Sequence, residues 1–144
     1  MSEKDYRAPD LALRGPEHVR VYQETDGAEG YEWNGVPTLL LTVTGRRTGA
    51  EHTSALIFGR HGDDLLVVAS KGGAPRHPLW YVNLQADPRA RVQVRDETVV
   101  VEARTAGAAE KPELWRIMTD IWPNYDVYQS RTDREIPLVV LSPV

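Results

Sequence analysis

The sequence predicts a mainly β fold of the α+β type, a small antiparallel barrel of about six strands with two or three helices packed outside it. Three observations predict it. Short apolar runs recur at close spacing with Gly- and Asp-bearing turns between them. Helical periodicity is confined to a few stretches. Parallel strand–helix alternation is absent, and neither G-x-G-x-x-G nor G-x-x-x-x-G-K-[ST] occurs, which disfavours a doubly wound nucleotide fold. At 144 residues the chain is the size of one domain with its own core. Residues 1–35 read as an N-terminal arm and helix packed on or over the barrel, and residues 36–144 as the barrel itself.

Taken in order, Met1 to Glu17 mixes charges with Pro9, Gly15 and Pro16 and reads as a loose arm or short helix. His18 to Asp26 has room for one short helix, and Gly27 to Gly35 is rich in turns. Thr38 to Thr44 is a strand with little alternation, so both its faces are expected to be buried. Gly45-Arg46-Arg47-Thr48-Gly49 is a glycine-bracketed turn. Thr53 to Phe58 and Leu65 to Ser70 are the next two strands, and the short loops between the three predict an antiparallel meander. Lys71 to Pro78 is a long loop, and Pro78 opens a helix over Leu79 to Gln85. Ala90 to Arg95 and Thr98 to Arg104 form a hairpin across Asp96-Glu97. Ala108 to Trp122 is a helix with Leu114, Trp115, Ile117, Met118, Ile121 and Trp122 on one stripe, ended by Pro123. Asn124 to Glu135 is polar and tyrosine-bearing, and Pro137 to Ser142 is a closing strand buried on both faces.

Composition narrows the function. There is no cysteine, so disulfides, thiolate metal sites and thiol nucleophiles are excluded. The net charge is −4, from 17 basic and 21 acidic residues, which argues against nucleic acid as a partner. No apolar run approaches a membrane span, and no secretory signal is visible. His18, His52, His61 and His77 do not pair at metal-ligand spacing, and no metal is expected. No G-x-S-x-G occurs, so a serine nucleophile has no support.

Three clusters carry chemistry. In the first turn, Arg46, Arg47 and Thr48 match a phosphate or carboxylate, although taken alone a solvated hairpin turn is the simpler reading. Ser70, Lys71, Gly72, Gly73, Arg76 and His77 form a second basic turn after another strand, and two such turns in an acidic protein suggest a polyanionic small ligand. Trp80 and Tyr81 either pack in the core or flank a planar ring, and Asn83 either bonds a ring edge or caps its helix. In the third cluster, Tyr125 and Tyr128 are three residues apart and share a side if that stretch is helical. A neutral phenol can hydrogen-bond developing negative charge.

The runs TLLLTVTGRRTGAEHTSAL, VVASKGGAPRHPLWYVNLQADP and WPNYDVYQSRTDREIPLVVL, in this order and spacing, resemble the deazaflavin (coenzyme F420)-dependent nitroreductase family of actinobacteria. The resemblance covers residues 36 to 142. It implies a split β-barrel like those of flavin reductases and FMN-binding proteins. It also implies coenzyme F420, whose phospholactyl-oligoglutamate tail is a polyanion. By similarity, Arg46, Arg47 and Thr48 hold the phosphate and tail, and His52, Thr53, Ser54, Ala55 and Leu56 line the cofactor along a strand. Val68, Ala69, Ser70 and Lys71 approach the deazaflavin; Leu79, Trp80, Tyr81, Val82 and Asn83 complete the pocket, with Pro123 on its other side.

The implied enzyme is an F420H2-dependent reductase that transfers a hydride to an electron-poor small molecule: a quinone, an activated C=C bond or a nitroaromatic. Tyr125, Tyr128 or Ser70 would bond the charge that hydride addition creates. The N-terminal arm and the Trp122 to Tyr128 stretch would form a lid over the substrate. Relatives that reduce nitroimidazoles carry tyrosine where Trp122 stands and can carry it at Ile57, so efficient nitroimidazole reduction is not expected. The alternatives are an F420 carrier without its own substrate, or an FMN-dependent split-barrel reductase, whose single phosphate needs fewer cations. The expected location is the cytoplasm, with loose association at the inner membrane face if the acceptor is lipophilic; oligomeric state is open.

Overall fold

The structure, a computed structural model, describes residues 5–144. The part of the expected arm that covers residues 1–4 lies outside the described residues. The hub of the sheet is β2 (Val36–Thr44), which pairs antiparallel with β1 (Glu32–Trp33), β3 (Glu51–Ile57) and β6 (Arg89–Val94). From β6 the sheet continues through β7 (Glu97–Thr105) and β8 (Leu138–Pro143) to β5 (Asp64–Val68) and β4 (Gly59–His61), always antiparallel. Two of the eight strands are two- and three-residue pieces, too short to leave a periodic signal in the sequence.

The continuous apolar runs have a direct cause. Val67, Val139 and Leu141 face the barrel interior with Leu39, Leu41, Val43, Val92 and Val101. The alternate residues of the same strands, Leu66, Val68, Leu138 and Val140, face outward against α3 (Lys111–Ile121) and α4 (Asn124–Ser130) through Leu114, Met118 and Tyr125. A strand covered on both faces has no reason to alternate. The fit is close: a Cβ on Gly59 would lie 2.7 Å from the Met118 sulfur.

The expected meander of three strands does not form. β3 pairs with β2 over its whole length, but β5 takes β4 and β8 as its neighbours, so no ladder joins β3 to β5. The chain crosses instead through Phe58, whose N–H donates to Pro37 O at 3.2 Å. Its ring is buried in the barrel core, edge-on to Tyr31. The margin of β3 is left half-exposed and the barrel is split there.

The helices close the remaining sides. α2 (Leu79–Ala86) begins behind Pro78 and places Trp80, Tyr81 and Leu84 in the barrel core. Pro123 ends α3 as expected but, at φ −57°, also starts α4, a helix that the polar composition of Asn124 to Glu135 concealed. α1 (Gly15–Thr25) is fastened to the sheet by Tyr22, fully buried, whose hydroxyl donates to Thr38 O at 2.9 Å and accepts from Arg95 N at 2.9 Å. No helix among the described residues is long and apolar enough to cross a membrane.

Tyr22→Phe removes both bonds and leaves a backbone N–H and a carbonyl without partners. The variant is expected to lose about 1–3 kcal/mol, read as a lower urea midpoint at unchanged slope.

Candidate functional site

The split in the barrel is where the candidate residues gather. Two adjoining clefts run along it, one of about 490 Å³ and one of about 400 Å³. Ser54 of β3 and Trp80 of α2 belong to both.

The larger cleft is basic. It is lined by Arg46, Arg47, Thr48, His52, Thr53, Leu79 and Asn83 besides the shared pair. Its turn is closed by Gly45 N–H to Ala50 O at 2.7 Å and Gly49 N–H to Gly45 O at 2.9 Å. A Cβ on Gly45 would lie 2.8 Å from His52 Nε2 and 3.1 Å from Ala50 O, so a side chain there would push the His52 ring aside. Asn83 lines the cleft and does not cap its helix with its side chain. Its Oδ1 accepts from Arg46 N at 3.2 Å and from Arg46 Nη1 at 3.0 Å, tying the turn to α2. Arg47 and Thr48 stay exposed at the mouth.

The second cleft is richer in aromatic side chains. β3 supplies Ser54, Ala55, Leu56 and Ile57, and the end of β5 supplies Val68, Ser70 and Lys71. Trp122, Tyr125 and Tyr128 close the far side, with Trp33 and His18 from the N-terminal part of the chain. Trp122 Nε1 donates to Tyr128 Oη at 3.3 Å, and its ring lies 5.7 Å from that of Trp33. Tyr125 is 5% exposed. Burial, and secondarily the neighbouring Tyr128, push its phenol far above the usual tyrosine range, so Tyr125 is a neutral O–H donor throughout the physiological interval.

Four sequence candidates stand outside both clefts. Ala69 is fully buried behind Ser70, and Pro123 is exposed at the start of α4. Tyr81 points away from Trp80, as successive helical residues do, and its hydroxyl pairs with Thr105 Oγ1 at 2.7 Å. Val82 is half-buried on the same helix and lines neither cleft.

Other residues that no motif revealed hold the site in shape. The Arg134 guanidinium donates to Ala74 O and Ser70 O at 2.7 Å each and to Ala69 O at 3.3 Å, pinning the loop that carries Ser70 and Lys71. It also donates to His77 Nδ1 at 3.1 Å. Burial and this guanidinium hold His77 below the usual imidazole range. Gly73, at φ +83°, passes so close to α4 that a Cβ would lie 2.5 Å from Tyr128 O. Two asparagines clamp the arm over the tryptophan pair. Asn124 exchanges bonds with Arg7 N and O at 2.9 and 2.7 Å, and Asn34 with Asp10 N and O at 2.7 and 2.9 Å. Each amide imitates a strand neighbour, a role composition alone does not announce.

One electrostatic fact unites the clefts. The protein carries net charge −4, yet among the described residues neither lining contains an Asp or Glu. Both present cations: Arg46 and Arg47 in one, Arg14 and Lys71 in the other. The pair suits an elongated molecule with an anionic end and a planar, apolar end.

The comparisons agree with this geometry. The profile of the F420H(2)-dependent quinone reductase family matches residues 14–143. An F420H(2)-dependent quinone reductase of Mycobacterium tuberculosis strain H37Rv is 41% identical over 129 residues, 87% of each chain. A solved F420-H2 dependent reductase, FDR-A, superposes with a TM-score of 0.69 at 34% identity, covering 74% of this chain and 94% of that one. A solved chain described as a domain-swapped dimer superposes with a TM-score of 0.72 at 32% identity, covering 86% of this chain and 96% of that one. The fold is that of the split-barrel reductases.

The raised Tyr125 phenol has a consequence for stability. Its proton is held more tightly in the folded chain than in the unfolded one, so its contribution is complete below about pH 10 and is lost as pH rises from there towards the folded value. Thermal melts above pH 10 are expected to show a shallower alkaline decline for Tyr125→Phe than for the native protein.

Proposed function

The chain belongs to the F420H(2)-dependent quinone reductase family, and on that premise we propose how its two clefts divide the work of an F420H2-dependent reductase. The observation that carries the reading is the acid-free, cation-bearing lining in an acidic protein. That lining fits a cofactor whose tail carries a phosphodiester and glutamate carboxylates. Arg46, Arg47 and Thr48 would hold the tail, with Asn83 keeping Arg46 in place. His52, Thr53, Ser54, Ala55 and Leu56 on the β3 margin, with Trp80 across from them, would carry the cofactor along the split towards Val68, Ser70 and Lys71.

When bound, reduced F420 supplies a hydride. The chain's own residues bind the acceptor, shield it and receive its charge. Of the acceptors the sequence admits, a quinone is the one the family name singles out. Its flat ring suits the space beside Leu56, Ile57, Trp33 and Trp122. Tyr125, a neutral donor in a nearly dry setting, and Ser70 are placed to hydrogen-bond a quinone oxygen as it gains negative charge. Tyr128 accepts from Trp122, leaving its own O–H to donate into the cleft. The tilted Trp33–Trp122 pair, with the Arg7 guanidinium 5.6 Å over Trp122, forms a cover that keeps water from the acceptor.

Titration of the purified protein with F420 and, in parallel, FMN, followed by tryptophan fluorescence, tests the cofactor half. Saturable, salt-sensitive binding of F420 alone is expected; FMN binding without F420 binding would overturn the tail assignment. Arg46→Ala with Lys71→Ala is expected to weaken F420 binding by about tenfold or more and to flatten its salt dependence. F420H2 oxidation by menadione tests the reductase half, and binding without turnover would favour a carrier. Trp122→Tyr removes the bulky indole from the acceptor side, and a several-fold gain in nitroimidazole turnover at unchanged F420 affinity is expected.

A further inference from the structure

One buried titratable group in the acceptor cleft has no part in the scheme above. His18 is 4% exposed and lines the cleft that also holds Ser70, Lys71, Tyr125 and Tyr128. Its Nε2 lies 2.7 Å from Gly30 O. A carbonyl oxygen only accepts, so Nε2 carries a hydrogen. The same carbonyl takes a second bond from the Thr38 hydroxyl at 2.6 Å, which fixes it in place. Gly30 sits at φ +99°, and a Cβ there would lie 3.1 Å from His18 Cδ2, so the ring is held edge-on to a backbone that has no side chain to spare. Behind it, α1 is anchored by Tyr22 to β2 and β6.

The other ring nitrogen is free to act. Nδ1 has no protein partner among the described residues. No fully buried side-chain nitrogen or oxygen among them lacks a hydrogen bond, so Nδ1 is not sealed in, and the residue that carries it lines the cleft. The geometry therefore presents one imidazole nitrogen, held by its opposite edge, to the space assigned to the acceptor.

We propose that His18 is a catalytic residue, the acid that completes quinone reduction from Nδ1; this rests on the quinone reductase reading above. Delivery of a hydride to the quinone leaves one oxygen negatively charged. A lone pair of that oxygen takes the proton from Nδ1 of the imidazolium. The N–H electrons return to the ring, the Nε2 hydrogen stays on Gly30 O, and solvent water reprotonates Nδ1. Quinone, hydride and one proton sum to the hydroquinone. Tyr125 complements this step without performing it: its phenol keeps its proton and stabilises the charge.

The charged and titratable groups around the cleft are Arg14 before α1, Lys71 from the turn after β5, and Tyr125 and Tyr128 from α4. β2 and β3 contribute only Thr38, Ser54 and apolar side chains, and β1 contributes Trp33.

The test measures kcat for menadione reduction by F420H2 from pH 5 to 9 in the native protein and in His18→Gln, whose amide N–H can still reach Gly30. The native kcat is expected to fall as pH rises, because the proposed acid must carry its proton. His18→Gln should lower the acid-limb kcat by about a hundredfold and lose that transition, with F420 affinity within about twofold of native. A second readout needs no variant or turnover. In the 15N-histidine-labelled native protein, menadiol added anaerobically should shift the His18 Nδ1 resonance and leave Nε2 protonated. Native turnover with an unchanged His18→Gln profile, or an Nδ1 resonance indifferent to menadiol, overturns the assignment while leaving the reductase reading intact. No native turnover with menadione overturns both. If His18→Gln does not fold, the Nδ1 resonance decides.

Discussion

The break between β3 and β5 is the constraint on which the rest of the molecule depends. A fully laddered barrel would have its interior filled by side chains and no way in. Here the chain leaves β3 at Ile57, donates one backbone bond from Phe58 to Pro37 O, buries the Phe58 ring, and resumes as β4 on the opposite margin of the sheet. One side chain in the core thus holds together two margins that share no ladder. Everything proposed to bind ligand lies along that opening, from Arg46 at one end to Tyr128 at the other.

Keeping such a gap open and shaped needs polar tethers, because apolar packing alone would tend to close it. The structure uses side chains that imitate backbone or bridge loops. Arg134 gathers three carbonyls of the Ala69–Ala74 stretch, Asn83 holds the Arg46 turn, and Asn34 and Asn124 clamp the arm. These bonds satisfy groups that would otherwise face each other unpaired across an irregular surface. They also leave the cations that line the clefts without a carboxylate among their fellow liners, which concentrates positive potential in a protein of negative net charge.

Much of the site was legible locally. Arg46-Arg47-Thr48 between glycines, Ser70-Lys71 after a buried strand, and the Tyr125–Tyr128 spacing each signalled their chemistry, and all reach the clefts. What escaped was whatever depended on a distant partner. His18 reads as an ordinary helical residue until Gly30 and Thr38 are seen to fix its ring. Arg134 reads as one charge in a polar stretch until its loop is beside it. Tyr81 and Val82 were expected in the pocket by resemblance, with the whole run from Leu79 to Asn83, but a helix turns about 100° per residue and carries only some of its side chains to one cleft.

By itself, the sequence determined the strands that are apolar on both faces, the turns that bracket them, the basic turns, and the class of fold and cofactor. All but the cofactor follow from local chemistry: side-chain burial, glycine and proline geometry, and charge; the cofactor is what the resemblance of three motifs to a known family implies. Only the tertiary structure decided which strands became neighbours. Pairing is a competition between non-local edges, and β5 lies between β4 and the well-buried β8 rather than beside β3. That choice opened the split, set α4 beside the end of β5, and turned His18 towards a cleft whose other walls lie more than 50 residues away in the chain at Ser70, Tyr125 and Tyr128.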